Sequence, residues 1–346
     1  MIVRNGSTAD ATISSASTLP RSVEAPTIEV NGLEKRFGDI VAVGGVSFTV
    51  QPGEVFAFLG PNGAGKSTTI NILCTLALPS GGSARVAGYD VVDSPNQVRQ
   101  HIGLVFQEQT LDDQLTAEEN LRFHAVLYGV PKKYRRERIS RVLDLVKLGD
   151  RGSDLVSTFS GGMARRLEIA RAMLHTPTVL FLDEPTIGLD PQTRSLMWDD
   201  VTTLRREEGV TIFLTTHYMD EAEVANRIAI IDHGQIVALD TPKRLKAMIG
   251  ADTVDLQTGN DDKAMATIEA AGYQAHRGAD RVTVFTDDGE SQVAPLVEIV
   301  GGGVRSVHVH RPTLDDVFLH FTGREIREEA GDSRAGTARA WRARRR

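Results

Sequence analysis

The sequence predicts an α/β fold built on a parallel β-sheet. Three short runs, residues 55–59, 179–182 and 210–214, have the length of single strands and are apolar at nearly every position. Strands that are apolar on both faces belong inside a parallel sheet that helices cover. The composition agrees with this class, because 41% hydrophobic and 25% charged residues are ordinary for a globular protein. A length of 346 residues is enough for two domains.

The first strand runs into the motif GPNGAGKST and then into a helix. This is the phosphate-binding pattern G-x-x-x-x-G-K-[ST] in the strand–loop–helix setting that it requires. Backbone N–H groups of such a loop surround nucleotide phosphates, the lysine reaches the β- and γ-phosphates, and the serine hydroxyl ligates Mg²⁺. Thr68 can add a phosphate contact near the positive end of the helix. The predicted nucleotide-binding residues are Gly60, Pro61, Asn62, Gly63, Ala64, Gly65, Lys66, Ser67 and Thr68.

The other two strands end in residues that suit hydrolysis. Asp183 follows one strand and is placed to hold Mg²⁺ through a water, and Glu184 is placed to orient and deprotonate an attacking water. His217 follows the other strand and can hydrogen-bond a γ-phosphate. Because ligands of α/β sheets bind at the carboxyl ends of strands, we expect these side chains and the phosphate loop on one rim.

The stretch TFSGGMARRL, residues 158–167, places two glycines where a helix should begin. In one interpretation Ser160 is a helix N-cap and the glycines only give the chain room to turn. In the other, bare N–H groups and the positive end of the helix dipole form an anion site that glycine leaves open to close approach. These residues alone leave both interpretations open.

Taken in order, these motifs resemble the nucleotide-binding subunit of ABC transporters over roughly residues 28–249. Gln107 in GLVFQEQTL matches the family's Q-loop, Asp190 in GLD its D-loop, and Phe37 in KRFGDIVAV the aromatic that stacks on adenine. The resemblance implies a P-loop NTPase fold with a RecA-like core and ATP and Mg²⁺ as cofactors. It also implies the catalytic residues Lys66, Gln107, Glu184 and His217, and a Mg²⁺ site formed by Ser67, Gln107 and Asp183.

Members of this family pair head to tail, which gives the glycine-rich stretch a role. The resemblance implies that the signature residues Ser160, Gly161, Gly162 and Met163 contact the γ-phosphate held by a second copy of the chain. Asp190 would link the two sites across that dimer. ATP would therefore close the dimer and hydrolysis would open it. Met163 stands where the commonest signature has glutamine, so it cannot make the contacts of that amide.

The same signature and the C-terminal region indicate one branch of the family. SGGMARRL and the later stretch RPTLDDVFLHFTGREIRE resemble the daunorubicin-resistance (DrrA-like) exporter ATPases and their ABC-2 relatives. The resemblance implies efflux of hydrophobic drugs through a separate ABC-2 type membrane subunit, with this chain peripheral on the cytoplasmic face of the membrane. Export of lipid, polyketide or polysaccharide is equally compatible with the ATPase, and a soluble ABC ATPase is the rival class.

The domain prediction follows from these matches. We expect a disordered leader over residues 1–26, an ATPase domain over 27–250, a small α+β domain over 251–323 and an arginine-rich tail over 324–346. A helical subdomain is expected at about 108–160, and its apolar helix face either docks on the membrane subunit or lies in the core. The net charge of −7 argues against a general nucleic-acid binder.

Overall fold

The computed structural model describes residues 25–278 and 281–323 as helices packed on three β-sheets. Within these ranges no helix combines the length and the apolar character that crossing a bilayer would need. All but the last two residues of the predicted leader, and the whole arginine-rich tail, lie outside the described residues.

The described elements alternate between strands and helices along most of the chain. The strands are β1 (Ile28–Phe37), β2 (Ile40–Val50), β3 (Val55–Leu59), β4 (Gly81–Val86), β5 (Tyr89–Asp90), β6 (Ile102–Val105), β7 (Val179–Asp183), β8 (Thr211–Thr216), β9 (Arg227–Asp232), β10 (Gln235–Asp240), β11 (Asp252–Thr258), β12 (Gln274–Arg277), β13 (Val282–Thr286) and β14 (Val304–His310). The helices are α1 (Lys66–Leu73), α2 (Pro95–His101), α3 (Ala117–Leu127), α4 (Lys132–Leu145), α5 (Gly161–Ala172), α6 (Pro191–Glu208), α7 (Met219–Ala222), α8 (Pro242–Ile249), α9 (Asp261–Ala270), α10 (Gly289–Val300) and α11 (Leu314–Thr322).

The central sheet is parallel apart from one edge. Its order is β10-β9-β3-β8-β7-β6, and only β10 runs antiparallel to its neighbour. Both faces of β3 are buried: Val55, Ala57 and Leu59 join the core on the helical side, whereas Phe56 and Phe58 pack against the outer sheet. This two-sided burial is what the apolar runs in the sequence predict.

An antiparallel outer sheet and a helical segment flank this core. The outer sheet has the order β2-β1-β4-β5 and buries its inner face against the central sheet. The segment from about 108 to 160 contains α3 and α4, and Thr116 begins α3 with a capping box to Glu119. One face of α3 packs in the core, but Phe123 and Leu127 remain 58% and 63% exposed.

The C-terminal sheet has the order β12-β13-β11-β14 and is antiparallel throughout. With α9 and α10 it forms a βαββαβ unit of ferredoxin-like type. Its small core includes Val254, Leu256, Ile268, Val284 and Leu296. This is the small α+β architecture that the alternation of short strands and helices predicts.

Helix α11 packs away from that small unit. Its buried residues Leu314, Val317 and Phe318 lie in the core on the helical side of the central sheet, together with Leu245 of α8. The sequence groups this helix with the small domain because it follows β14 directly. Helices α9 and α10 already pack on the small sheet, so the apolar face of α11 is covered by α8 instead.

Removing the largest side chain of this contact should unfold the chain more easily. Phe318 is 1% exposed, and we expect Phe318→Ala to lower the free energy of unfolding by about 3–5 kcal/mol, since truncation loses the buried ring and leaves a cavity. Urea unfolding measures the change. Phe285→Ala is the control, because Phe285 is 44% exposed. Equal small losses in both variants would contradict the packing of α11 into the large core.

Candidate active site

The predicted phosphate loop connects β3 to α1. Gly65 has a φ of 107°, which L side chains rarely adopt, and a Cβ there would overlap the carbonyl oxygen of Ala42. The loop borders a cavity of about 320 Å³. Its lining residues are Ala42, Asn62, Gly63, Gly65, Lys66, Ser67, Thr68, Gln107, Glu184 and Ile187. The fold thus brings the loop, the Q-loop glutamine and the predicted base to one place.

Lys66 is a buried ammonium held among oxygen atoms. Its Nζ donates to the carbonyl oxygens of Gly60 at 2.8 Å and Pro61 at 3.1 Å, and it lies 3.1 Å from Oε1 of Glu184. Burial lowers the pKa of Lys66, and the charges of Glu184 and Asp183 oppose that shift. The side chain therefore sits in a site whose carboxylates favour its charged form.

Glu184 is fixed by its backbone as well as by its side chain. Its φ of 45° is unusual for a residue other than glycine, and its N–H donates to Oγ1 of Thr215 at 3.0 Å. Its Oε2 lies 3.4 Å from Nδ1 of His217. Burial raises the pKa of this carboxyl, but His217 and Lys66 outweigh the burial and hold the pKa below its ordinary value. Glu184 is therefore ionised at neutral pH, as a general base must be.

The residues expected to hold Mg²⁺ also lie together. Oγ of Ser67 donates to Oδ1 of Asp183 at 3.2 Å, and Oγ1 of Thr215 donates to the same oxygen at 2.5 Å. Gln107 lines the same cavity. Hydroxyl, carboxylate and amide oxygens are the ligand types that Mg²⁺ prefers, so the donor set fits the ion.

The signature residues lie outside the cavity, at the start of α5. Oγ of Ser160 accepts from the N–H of Met163 at 3.3 Å, so the N-cap interpretation is correct. Gly161 and Gly162 are the first two helical residues, whose N–H groups have no carbonyl partner within a helix. A Cβ on Gly162 would overlap Thr193, so glycine is also required for packing against α6. Capping and anion binding are thus compatible in this segment.

Two other predicted residues have clear positions. Asp190 caps α6, because its Oδ1 accepts from the N–H of Thr193 at 3.0 Å, and this places the D-loop beside the signature. Phe37 ends β1 and is 55% exposed, so it is not a core aromatic. It does not line the cavity, although Ala42 on the adjoining strand does.

Sequence reasoning missed three buried groups near the site. Thr215 hydrogen-bonds both the side chain of Asp183 and the backbone N–H of Glu184. The one sequence feature that could have pointed to it is a hydroxyl near the end of an apolar strand. Arg165 and Glu168 form an ion pair of 2.8 Å inside the protein. Their spacing of three residues on a helix that is otherwise buried is the signal that could have revealed them.

The buried carboxyl of Glu221 on α7 should make the free energy of unfolding depend on pH. It is 1% exposed, accepts from Oγ1 of Thr216 at 2.6 Å, and burial raises its pKa from 4.5 to about 7. The folded state therefore binds this proton more tightly than the unfolded state, and stability is lost as the pH rises from 4.5 towards 7. We expect Glu221→Gln to raise the melting temperature relative to wild type at pH 8 but not at pH 4. An equal shift at both values would contradict the raised pKa.

Together, a phosphate loop, a buried lysine and an acid pair at the end of one parallel strand define a P-loop nucleotide hydrolase. The sequence model of the ABC transporter family matches residues 43–187. The chain is 42% identical over 306 residues to the daunorubicin/doxorubicin resistance ATP-binding protein DrrA of Streptomyces peucetius, covering 86% of this chain and 92% of that protein. The chain therefore belongs to the family of ABC transporter ATP-binding proteins and is an ATPase.

Other relatives and solved structures agree with this assignment. The chain is 38% identical to the Nod factor export ATP-binding protein I of Burkholderia lata, covering 87% of this chain and 98% of that protein. CbiO1 of Clostridium perfringens matches with a TM-score of 0.61 at 28% identity, covering 65% of this chain and 92% of that one. A dimeric ATP-binding cassette bound to ADP and Pi, MJ0796, matches with a TM-score of 0.56 at 27% identity, covering 62% and 98%. The predicted fold class is confirmed.

Proposed function

We propose that this chain powers an exporter that moves hydrophobic drugs or related compounds through a separate membrane subunit. The observation that carries the proposal is the contact of Glu184 with two cationic or ionisable side chains, which suits hydrolysis rather than simple nucleotide binding. Lys66 lies 3.1 Å and His217 3.4 Å from oxygen atoms of Glu184. The drug cargo is supported by relatives that are named for daunorubicin and doxorubicin resistance. The relatives named for Nod factor export make another secreted compound the alternative cargo.

The residues at the cavity divide the work of hydrolysis. The loop N–H groups and Lys66 bind the phosphates of ATP, and Glu184 takes a proton from a water that attacks the γ-phosphorus in line. A bond forms between that water oxygen and phosphorus, and the bond to the β–γ bridging oxygen breaks, leaving ADP and phosphate. His217, 3.4 Å from Glu184, steadies the base and the γ-phosphate. Ser67, Gln107 and Asp183, the last through a water, would hold Mg²⁺, which neutralises phosphate charge.

Lys66 serves two anions in turn in this proposal. Before ATP binds, its Nζ lies 3.1 Å from Oε1 of Glu184, and this ion pair stabilises the carboxylate and makes it a weaker base. A bound γ-phosphate competes for the same ammonium, because an ammonium has three donors and two are already used by carbonyl oxygens. ATP binding therefore frees the Glu184 carboxylate to accept a proton from water. The base becomes active only when there is a phosphate to attack.

A second copy of the chain completes the proposed site. Ser160, Gly161, Gly162 and Met163 would contact the γ-phosphate held by the other copy, and Asp190 would link the two sites. The free N–H groups at the start of α5 support this role, and the matching MJ0796 cassette is dimeric. ATP closes this dimer and hydrolysis opens it.

The membrane partner would be an ABC-2 type subunit that holds this chain, as a peripheral protein, at the cytoplasmic face of the membrane. We propose no nucleic-acid partner. The exposed apolar side chains of α3, among them Phe123 and Leu127, support a protein partner for the helical subdomain.

We also propose the domain division 27–250 and 251–323. Helix α11 then joins the second unit to the first, since it packs on α8.

Recovery of the partner from membranes tests the exporter proposal. The chain is tagged, membranes of its native cell are solubilised mildly, and the co-purifying proteins are identified. We expect a stoichiometric protein with several membrane spans, and inside-out vesicles with both proteins should accumulate daunorubicin only with ATP. A Glu184→Gln chain is the matched control for uptake. Recovery of ribosomes or nucleic acid, with the chain wholly in the soluble fraction, would overturn the exporter and leave the ATPase.

A further inference from the structure

Arg165 lies on α5, one turn beyond the signature glycines, and its side chain is 7% exposed. It donates to the carbonyl oxygen of Pro185 at 2.6 Å and reaches those of Glu184 at 3.3 Å and Asp183 at 3.4 Å. It also donates to the carbonyl oxygen of Phe106. One side chain therefore contacts the backbone around the proposed base and the residue directly before Gln107.

Glu168 is 1% exposed and holds both Arg165 and the far end of the Q-loop. Its Oε2 accepts from Arg165 at 2.8 Å, and its Oε1 accepts from the N–H of Thr110 at 2.8 Å and from Oγ1 of Thr110 at 3.1 Å. Arg171 donates to the carbonyl oxygen of Thr110 at 3.1 Å. The segment with Gln107 is thus held at both ends by one face of α5.

Packing alone does not explain this cluster. Burying a guanidinium and a carboxylate carries a desolvation penalty, and apolar side chains of similar volume often stabilise a core equally well or better. A guanidinium does what a methionine cannot: its planar fork fixes several carbonyl oxygens at once. The chemistry of the pair therefore indicates orientation of the two loops rather than stability.

We propose that Arg165, with Glu168, is a positioning residue that ties the signature helix to the base and to the Q-loop of the same subunit. The inference rests on the proposed function, in which the start of α5 contacts the γ-phosphate of the other copy. A shift of α5 on dimer closure would then move the backbone at Glu184 and the segment at Gln107 together. Each site becomes competent when the opposite nucleotide is engaged.

Replacing both charged residues by methionine tests the link and removes both members of the 2.8 Å pair. Arg171, whose Nη2 lies 3.9 Å from Oε1 of Glu168, keeps its hydrogen bond to the carbonyl oxygen of Thr110. For the Arg165→Met and Glu168→Met double variant we expect an unchanged KM for ATP and an unchanged melting temperature. We expect kcat to fall by about tenfold to a hundredfold, since a misplacement of about 1 Å costs about a hundredfold in rate. The Mg²⁺ concentration for half-maximal activity should rise, because Gln107 is released. Arg165→Lys should fold and yet share the loss, because lysine lacks the planar fork.

The matched control removes another ion pair of α5, between the partly buried Arg166 and the buried Asp200. Arg166 lies 2.7 Å from Asp200 on α6, and we expect Arg166→Met with Asp200→Asn to keep the wild-type kcat and Mg²⁺ dependence. Wild-type kinetics in the Arg165 variants, or an equal loss in the control, would overturn the inference. If the double variant does not fold, kcat and the Mg²⁺ dependence of Arg165→Lys test the inference in its place. A Glu184→Gln chain that hydrolyses ATP normally would overturn the proposed site instead.

Discussion

Glu184→Gln is expected to lower kcat by about a hundredfold to ten-thousandfold, the contribution of a positioned general base, while ATP binding is retained. The glutamine keeps the size of the side chain and its place beside Lys66, but it cannot accept a proton from water. ATP should therefore accumulate unhydrolysed and hold two copies of the chain together. Phosphate release measures the rate, and light scattering with ATP measures the dimer.

A control for this variant is Glu223→Gln. Glu223 pairs with Lys246 at 2.9 Å on the surface and has no contact with the cavity. We expect wild-type hydrolysis from it. Hydrolysis at the wild-type rate in the Glu184→Gln chain would show that another group, or water alone, acts as the base. Loss of ATP binding in the same variant would show that Glu184 has a structural role.

Lys66→Met is expected to weaken ATP binding about tenfold to a hundredfold. A hydrogen bond to a charged group contributes about 1.5–3 kcal/mol, and each 1.4 kcal/mol is a factor of ten in affinity. Methionine keeps the apolar stem in its buried position, so the loop should stay folded. Isothermal titration with ATP and Mg²⁺ measures the dissociation constant.

Lys263→Met provides the matched comparison, because Lys263 is exposed on α9 in the C-terminal unit. It should bind ATP as the wild type does. If Lys66→Met also binds ATP with wild-type affinity, the 3.1 Å pair with Glu184 is structural and the phosphates rely on the loop backbone alone. That outcome would remove the proposed competition between Glu184 and phosphate for the lysine.

Much of the site could be predicted from the sequence because its signals are local. The loop at 60–68 needs glycines for its backbone, and the acids must follow an apolar strand to reach the rim. Lys66, Asp183 and Glu184 were placed in this way, and so was His217. Their convergence follows from a general property of parallel sheets, whose strands end at one edge.

The buried links to the site could not be predicted in the same way. Arg165, Glu168 and Thr215 are ordinary residues for a helix or a strand, and a charged residue is usually exposed. Their partners lie in or just after β6 and β7, more than a dozen residues away along the chain. Arg165 donates to the carbonyl oxygens of Phe106 and Pro185. Glu168 accepts from Thr110, and Thr215 accepts from the N–H of Glu184. Only the packing of α5 against both strand ends shows that these charges are buried and paired.

The sequence by itself determined the parallel core, the phosphate loop, the acid pair and the family, because each is carried by adjacent residues or by strand polarity. The tertiary structure decided where α11 packs, how Lys66 pairs with Glu184 and how Arg165 holds two loops. These features are contacts between segments far apart in the chain. An apolar face or a charged side chain shows that it needs a partner, but the fold alone selects which partner comes within reach.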